Sequence, residues 1–250
     1  MITIVLLHAL PLDSTMWAGP RADLERRGHW VLAPDQRGFG AVPLGSAPPS
    51  LDVVADDLAA TLDDHGIRRA ALVGCSMGGY VAMAFQRRHP GRLAALALLG
   101  TRAGQDTADV RKGREQFAER ILSGETRAGL VAATTPALLG ATTRARRPHL
   151  LAEVLASVER AAPESVAWAQ RAIAARPDST DTLRSTTVPS VVVAGAQDEL
   201  VRAEESAALA AVLPRGRLVT LPDAGHLTPL EAPDLVAAEI DELVRGAHVD

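Results

Sequence analysis

The sequence predicts an α/β fold: a doubly wound, mainly parallel six-stranded sheet with an inserted helical cap. Three observations carry this. Six short runs rich in Val, Leu, Ile and Ala recur along the 250 residues, and stretches with helical spacing alternate with them. The runs are continuously apolar rather than alternating, which marks strands covered on both faces, as right-handed crossovers require. Between Gly100 and Val188 the strand signals vanish, and helical sequence rich in alanine and arginine takes over, broken by Pro136, Pro148, Pro163 and Pro177.

Taken in order, the predicted strands are Ile2 to Leu7, Trp30 to Ala33, Ala70 to Val73, Leu93 to Leu99, Ser190 to Ala194 and Arg217 to Leu221. Helices are predicted over Trp17 to Arg27, Leu51 to Asp64, Met77 to Arg88, Ala203 to Leu213 and Pro233 to Arg245. Gly28 and Gly66 suit helix C-terminal caps, Pro233 suits a first helical turn, and Asp234 complements the positive end of the helix it opens. Ala47-Pro48-Pro49-Ser50 leads into a helix and does not divide domains. The expected organisation is a core of residues 1–103 and 188–250, with residues 104–187 as a cap. A cap inserted after the strand ending at Leu99 would roof the carboxyl ends of the strands, where open α/β sheets bind ligands.

Composition narrows the function classes. Twenty-six basic and 30 acidic residues give a net charge of −4, and the basic residues are scattered, which argues against a nucleic-acid partner. The single cysteine, Cys75, excludes an internal disulfide framework and a cysteine-based zinc site, and reads as a small buried hydrophobe. No segment approaches the roughly 18 apolar residues that span a bilayer, and Met1 to Leu7 lacks the basic start of a signal peptide, so a cytoplasmic location is expected. No cofactor or metal is implied: there is no His-Glu metal helix, and the one glycine-rich turn has another use.

That turn is Gly74-Cys75-Ser76-Met77-Gly78, directly after the apolar run Ala70 to Val73 and directly before a helical stretch. A serine between two glycines at a strand-to-helix turn is a nucleophile elbow, in which the sharp turn holds the hydroxyl clear of both elements. A serine hydroxyl is a weak nucleophile and needs a base and an acid that orients the base. Asp198 follows one predicted strand in Gly195-Ala196-Gln197-Asp198, and His226 follows another in Asp223-Ala224-Gly225-His226. Asp223 is the rival acid. His226 has rivals in His8, His29, His65, His89, His149 and His248, which lie in or beside helices, at a terminus, or, for His8, at the exit of the first strand.

With these residues in the order serine, aspartate, histidine, the chain resembles the α/β-hydrolase-fold proteins nearly end to end, apart from the cap. The resemblance rests on Leu6-Leu7-His8-Ala9-Leu10-Pro11, Pro34-Asp35-Gln36-Arg37-Gly38-Phe39-Gly40, Gly74 to Gly79, Gly195 to Asp198, and Gly225-His226 through Glu231-Ala232-Pro233. It implies Ser76 as nucleophile, His226 as general base and then acid, Asp198 as the buried orienter of the imidazole, and His8 as structural. It also implies an oxyanion hole from the backbone N–H groups of Met77 and Leu10. Two departures stand out. The family usually places glycine where this chain has Ala9, which restricts the loop that carries Leu10. Many relatives also begin with an antiparallel hairpin that this sequence lacks, so six parallel strands are expected and one sheet edge needs another cover.

The implied reaction is acyl transfer to water from a small carboxylic ester or lactone through an acyl-enzyme. The same fold and triad also serve C–C bond hydrolysis, thioester cleavage, perhydrolysis, and lyase or cyclase steps, and more distantly a non-enzymatic small-molecule receptor. Substrate choice lies in the cap. Trp168 and Phe117 are candidate pocket walls, although aromatic side chains at helical spacing also build cores. The cluster Arg144, Arg146, Arg147 could attract a carboxylate, or could be a solvated helix face. Trp168 through Ser179 resembles bacterial relatives near the 3-oxoadipate enol-lactonases, in keeping with a small ester or lactone.

Overall fold

A computed structural model describes residues 2–247, with the side chains of Glu125 and Thr126 excepted. All six predicted strands form: β1 (Thr3–Leu7), β2 (Val31–Leu32), β3 (Ala70–Cys75), β4 (Leu93–Leu99), β5 (Ser190–Gly195) and β6 (Gly216–Leu221). They make one sheet in the order β2-β1-β3-β4-β5-β6, and every neighbouring pair is parallel. The predicted helices are α1 (Ala18–Arg26), α2 (Leu51–Asp64), α3 (Met77–Arg88), α10 (Ala203–Val212) and α12 (Pro233–Ala247), the last preceded by the short α11 (Thr228–Glu231).

The continuously apolar runs are the inner strands. Every residue of β3, β4 and β5 is buried, and β1 is buried from Ile4 onward. The short edge strand β2, and β6 with its charged Arg217, limit the unpaired edges. Arg217 is anchored to Glu239 on α12. Helices α1 and α12 pack together, as do α2 and α3. Because the chain moves from β1 outward to β2 and then back across to β3, right-handed crossovers put α1 on one face of the sheet and α2 and α3 on the other.

That reversal creates a switch point between β1 and β3, whose carboxyl ends carry the loop containing Leu10 and the turn containing Ser76. A ligand crevice belongs there. The local sequence drives the neighbouring boundaries. Ser50 caps α2 by accepting a hydrogen bond from the Asp52 N–H at 3.2 Å, and α2 ends in a turn where the Ile67 N–H reaches back to the Leu62 carbonyl at 2.8 Å.

Between β4 and β5 lies the helical insertion: α4 (Ala108–Leu122), α5 (Gly124–Thr134), α6 (Ala141–Arg146), α7 (Pro148–Arg160) and α8 (Pro163–Ala174), followed by the short α9 (Thr180–Arg184). Pro148 and Pro163 each open a helix, where the missing N–H costs nothing, and Pro177 follows the end of α8. Helix α4 packs along α8, and Ala118, Ile121, Val166 and Ala169 are buried.

Two glycines test this packing in opposite directions. A Cβ on Gly78 would lie 2.1 Å from the Leu7 carbonyl oxygen, whereas one on Gly113, exposed in α4, meets nothing within 4 Å. Gly78→Ala is expected to cost at least ~2 kcal/mol, and Gly113→Ala to stabilise by up to ~1 kcal/mol. Urea unfolding curves measure both. A Gly78→Ala protein as stable as the parent would contradict the close approach of α3 to β1.

Candidate active site

The turn between β3 and α3 contains a single residue, Ser76, with φ 51° and ψ −111°. It is the only non-glycine residue with positive φ among the described residues, a conformation that costs on the order of 1–3 kcal/mol. The surrounding structure holds it there. The Ser76 N–H donates to the Leu99 carbonyl at 2.8 Å, and the Ser76 carbonyl accepts from Gly79 and Tyr80 in the first turn of α3. The flanking glycines answer to close approach: a Cβ on Gly74 would sit 2.3 Å from the Gly78 carbonyl oxygen. Met77, at the first position of α3, has an N–H without an intrahelical acceptor.

Asp198 and His226 come from the loops after β5 and β6, and the structure joins them. His226 Nδ1 lies 2.9 Å from Asp198 Oδ2, with 4% and 2% of the two side chains exposed. A carboxylate only accepts, so Nδ1 carries the proton and Nε2 is left as the basic atom. Asp198 Oδ1 accepts from the N–H groups of Leu200 at 2.8 Å and Val201 at 3.0 Å. Burial alone would raise the Asp198 carboxyl. The His226 hydrogen bond and charge and the two amides outweigh it and hold the group below its ordinary value, so it stays ionised. Asp223, the rival acid, is exposed.

The loop after β1 is fixed by His8. Its Nε2 accepts from the Gln36 N–H at 2.9 Å, its Nδ1 contacts the Ala9 carbonyl at 3.1 Å, and Gln36 Nε2 donates back to the His8 carbonyl at 2.8 Å. Complete burial lowers the His8 pKa to about 4, so the ring is neutral and its role is to hold the loop. Ala9 is fully buried and does not adopt positive φ, so the alanine fits without the conformational freedom of glycine.

Ser76, His226 and Leu10 line one cavity of about 320 Å³, at the small end of ligand sites. The insertion supplies much of the opposite wall, including Phe117 from α4 and Val166 from α8. Its attachment runs through the loops that carry Asp198 and His226. Gln197, beside Asp198, accepts from the Thr142 N–H and donates to the Thr142 hydroxyl, both at 2.8 Å. The buried Glu231 carboxylate accepts from the Gly140 N–H at 2.8 Å and from the Gly225 N–H, beside His226, at 2.9 Å.

Several other expectations are resolved by position. Phe117 lines the cavity, but Trp168 does not: it is buried, and its Nε1–H donates to the Ala47 carbonyl at 2.8 Å. None of Arg144, Arg146 and Arg147 lines it either. Arg144 is spent on Glu199 and two carbonyls, Arg147 bonds the Glu231 carbonyl, and Arg146 is exposed. His29 and His89 pair with Asp241 and Asp56, His65 contacts its own helix, and His149 is exposed on α7. His248 lies outside the described residues. Cys75 is buried, and burial pushes its thiol well above the ordinary range. Among the described residues no group of three or more His, Cys, Asp or Glu side chains is placed to hold a metal ion, and no helix is long and apolar enough to cross a membrane.

What the sequence did not reveal is a charged cluster at one end of the cavity. Arg102 and Arg114 line it, and both bind the fully buried Asp106, which also pairs with Arg176 at 2.9 Å. Arg176 in turn stacks on the Tyr80 ring, 4.1 Å from its centre. Nothing local marks these arginines among the others between β4 and β5. Arg102 and Asp106 precede α4, Arg114 lies on it and Arg176 follows α8, so tertiary packing of α4 along α8 with the segments at their ends brings them together.

Comparison with known proteins settles the family. Residues 2–233 match the alpha/beta hydrolase fold. The chain belongs to this family. It is similar to an esterase from Thermogutta terrifontis, solved with malate bound, with a TM-score of 0.94 and 36% identity over 99% of this chain and 91% of that one. It is similar also to the enol-lactonase from Burkholderia xenovorans LB400, with a TM-score of 0.88 and 28% identity over 98% and 91% of the two chains. A pimeloyl-[acyl-carrier protein] methyl ester esterase from Aromatoleum aromaticum is 29% identical, covering 97% of this chain and 98% of its own. As an alpha/beta hydrolase with no amino-terminal hairpin among its described residues, the chain keeps the six parallel strands that present the site.

The buried cluster makes a pH prediction. Burial alone would raise Asp106, but the Arg176 hydrogen bond and the Arg114 charge outweigh it and hold the carboxyl at about 2. A carboxyl depressed on folding stabilises the protein above its unfolded pKa, and this contribution, on the order of 2 kcal/mol, is lost as pH falls through the folded value. The stability gap between the parent and Asp106→Asn, read from denaturant unfolding, is expected to narrow between about pH 4 and about pH 2. A gap that stays constant over that window would contradict the assignment.

Proposed function

We propose that the protein is a serine hydrolase that cleaves a small carboxylic ester or lactone, with Ser76 as nucleophile, His226 as base and acid, and Asp198 as the group that orients His226. One observation carries the reading: Ser76, held on a strained turn, shares a cavity with a histidine whose Nδ1 is committed to a buried carboxylate. The similarity to two esterases and an enol-lactonase supports the reaction class.

In this mechanism His226 Nε2 takes the Ser76 hydroxyl proton as the oxygen attacks the carbonyl carbon. The N–H groups of Met77 and Leu10 receive the developing oxyanion. The tetrahedral species collapses as His226 returns the proton to the departing alkoxide, leaving an acyl-enzyme on Ser76. Water, deprotonated by His226, attacks the acyl carbon in turn, and Ser76 leaves as the carboxylic acid forms. Asp198 stays ionised throughout and offsets the positive charge that His226 gains. The inserted helices α4–α8, with residues 104–187 as the cap, close the cavity from above and set its size.

Hydrolysis of 4-nitrophenyl acetate, butyrate and palmitate tests the reading. The small cavity favours the short esters over palmitate. Ser76→Ala is expected to lower kcat on the best of them by about 10⁴-fold or more while leaving the unfolding temperature near that of the parent. Turnover retained by Ser76→Ala would exclude the mechanism, and intact esters with the parent protein would favour a lyase or cyclase on the same residues.

A further inference from the structure

The cavity is apolar over most of its wall, yet three arginines, Arg102, Arg114 and Arg127, line it. A cation at an apolar cavity is costly unless something compensates its charge. For Arg102 and Arg114 that compensation is visible. Arg102 pairs with Asp106 and Glu205, and Arg114 pairs with Asp106 and donates to the Gln170 side-chain carbonyl at 2.8 Å. Arg176, however, draws on the same Asp106.

Arg127, on α5, is held differently. Its Nη2 donates to the carbonyls of Glu159 at 2.6 Å and Ala161 at 2.8 Å, at the junction of α7 and α8. These bonds fix the side chain without neutralising it, and among the described residues no carboxylate lies within ion-pair distance. The Nε and Nη1 donors are not used by those bonds. Three guanidiniums, from Arg102, Arg114 and Arg176, share the one carboxylate of Asp106, Glu205 divides itself between Arg102 and Arg202, and Arg127 has no carboxylate partner among the described residues, so positive charge exceeds negative at this end of the cavity. A guanidinium fork fits a carboxylate better than it fits any neutral ester substituent.

We propose that Arg127, reinforced by the charge of Arg102 and Arg114, is an anion subsite, and that the substrate carries an ionised carboxylate in addition to the ester or lactone that is cut. The identity of the cut bond rests on the function proposed above, whereas the anion subsite stands on the arginines. The cluster Arg144, Arg146, Arg147, although denser in sequence, faces elsewhere.

The test pairs two esters of nearly equal shape, mono-4-nitrophenyl glutarate and 4-nitrophenyl valerate, with calorimetric titration of glutarate itself. The proteins are the parent, Arg127→Gln, Arg127→Lys and, as a control for the same charge removed from an exposed site, Arg146→Gln. The parent is expected to prefer the glutarate ester in kcat/KM by about tenfold or more, the scale of one charge-assisted hydrogen bond. Arg127→Gln lowers that preference, and the affinity for glutarate, by about tenfold or more; Arg127→Lys lies between; Arg146→Gln matches the parent. Glutarate binding that depends on Arg127, with neither ester turned over, would uphold the subsite and remove the esterase reading. Turnover of both esters without preference for the glutarate ester, or with a preference that survives Arg127→Gln, would overturn the subsite and leave the esterase reading standing.

Discussion

The site depends on one close backbone approach. The first turn of α3 lies against the ends of β1 and β3 so tightly that neither Gly74 nor Gly78 has room for a Cβ. This contact fixes where α3 begins and forces the single residue between strand and helix to φ 51°. The strain of that conformation is tolerable because it is set against a buried parallel sheet whose central strands would all have to shift to relieve it. Ser76 is consequently placed by the fold rather than by its own side-chain contacts. The loop after β1 is brought to the same point by the reciprocal His8–Gln36 bonds.

The second level of organisation is a set of buried carboxylates that do different work. Asp198 orients a histidine, Glu231 clamps two glycine amides from different parts of the chain, and Asp106 gathers three arginines. Asp198 and Asp106 are charged in places that would otherwise favour the neutral form, and all three side chains accept from several donors. Glu231 and Gln197 tie the insertion to the loops that hold His226 and Asp198, so the roof of the cavity and its polar floor are parts of one hydrogen-bonded unit.

Legibility from sequence followed the range of the interactions. The strands and core helices were readable because continuous apolar runs, helical spacing and terminal residues such as Ser50 and Pro233 are local signals. The elbow was readable because glycine is demanded within five consecutive residues. Asp198 and His226 were identifiable by their places after strands and by resemblance, while their mutual bond is a property of the sheet order. The insertion was harder. Its prolines announced helix starts, but not which faces meet, so Trp168 and Phe117 looked alike although only Phe117 lines the cavity. For the same reason the contiguous Arg144, Arg146 and Arg147 drew notice, whereas Arg102, Arg114 and Arg127 converge only through tertiary packing.

The account stands on Ser76 being an activated nucleophile. The most direct measurement is covalent labelling of the native protein with a fluorophosphonate, followed by peptide mass mapping. The geometry predicts one adduct, on Ser76, formed quickly by the parent and hardly at all by His226→Ala, because the hydroxyl depends on the imidazole to accept its proton. Absence of labelling in the folded parent, or a rate that is the same with and without His226, would contradict it.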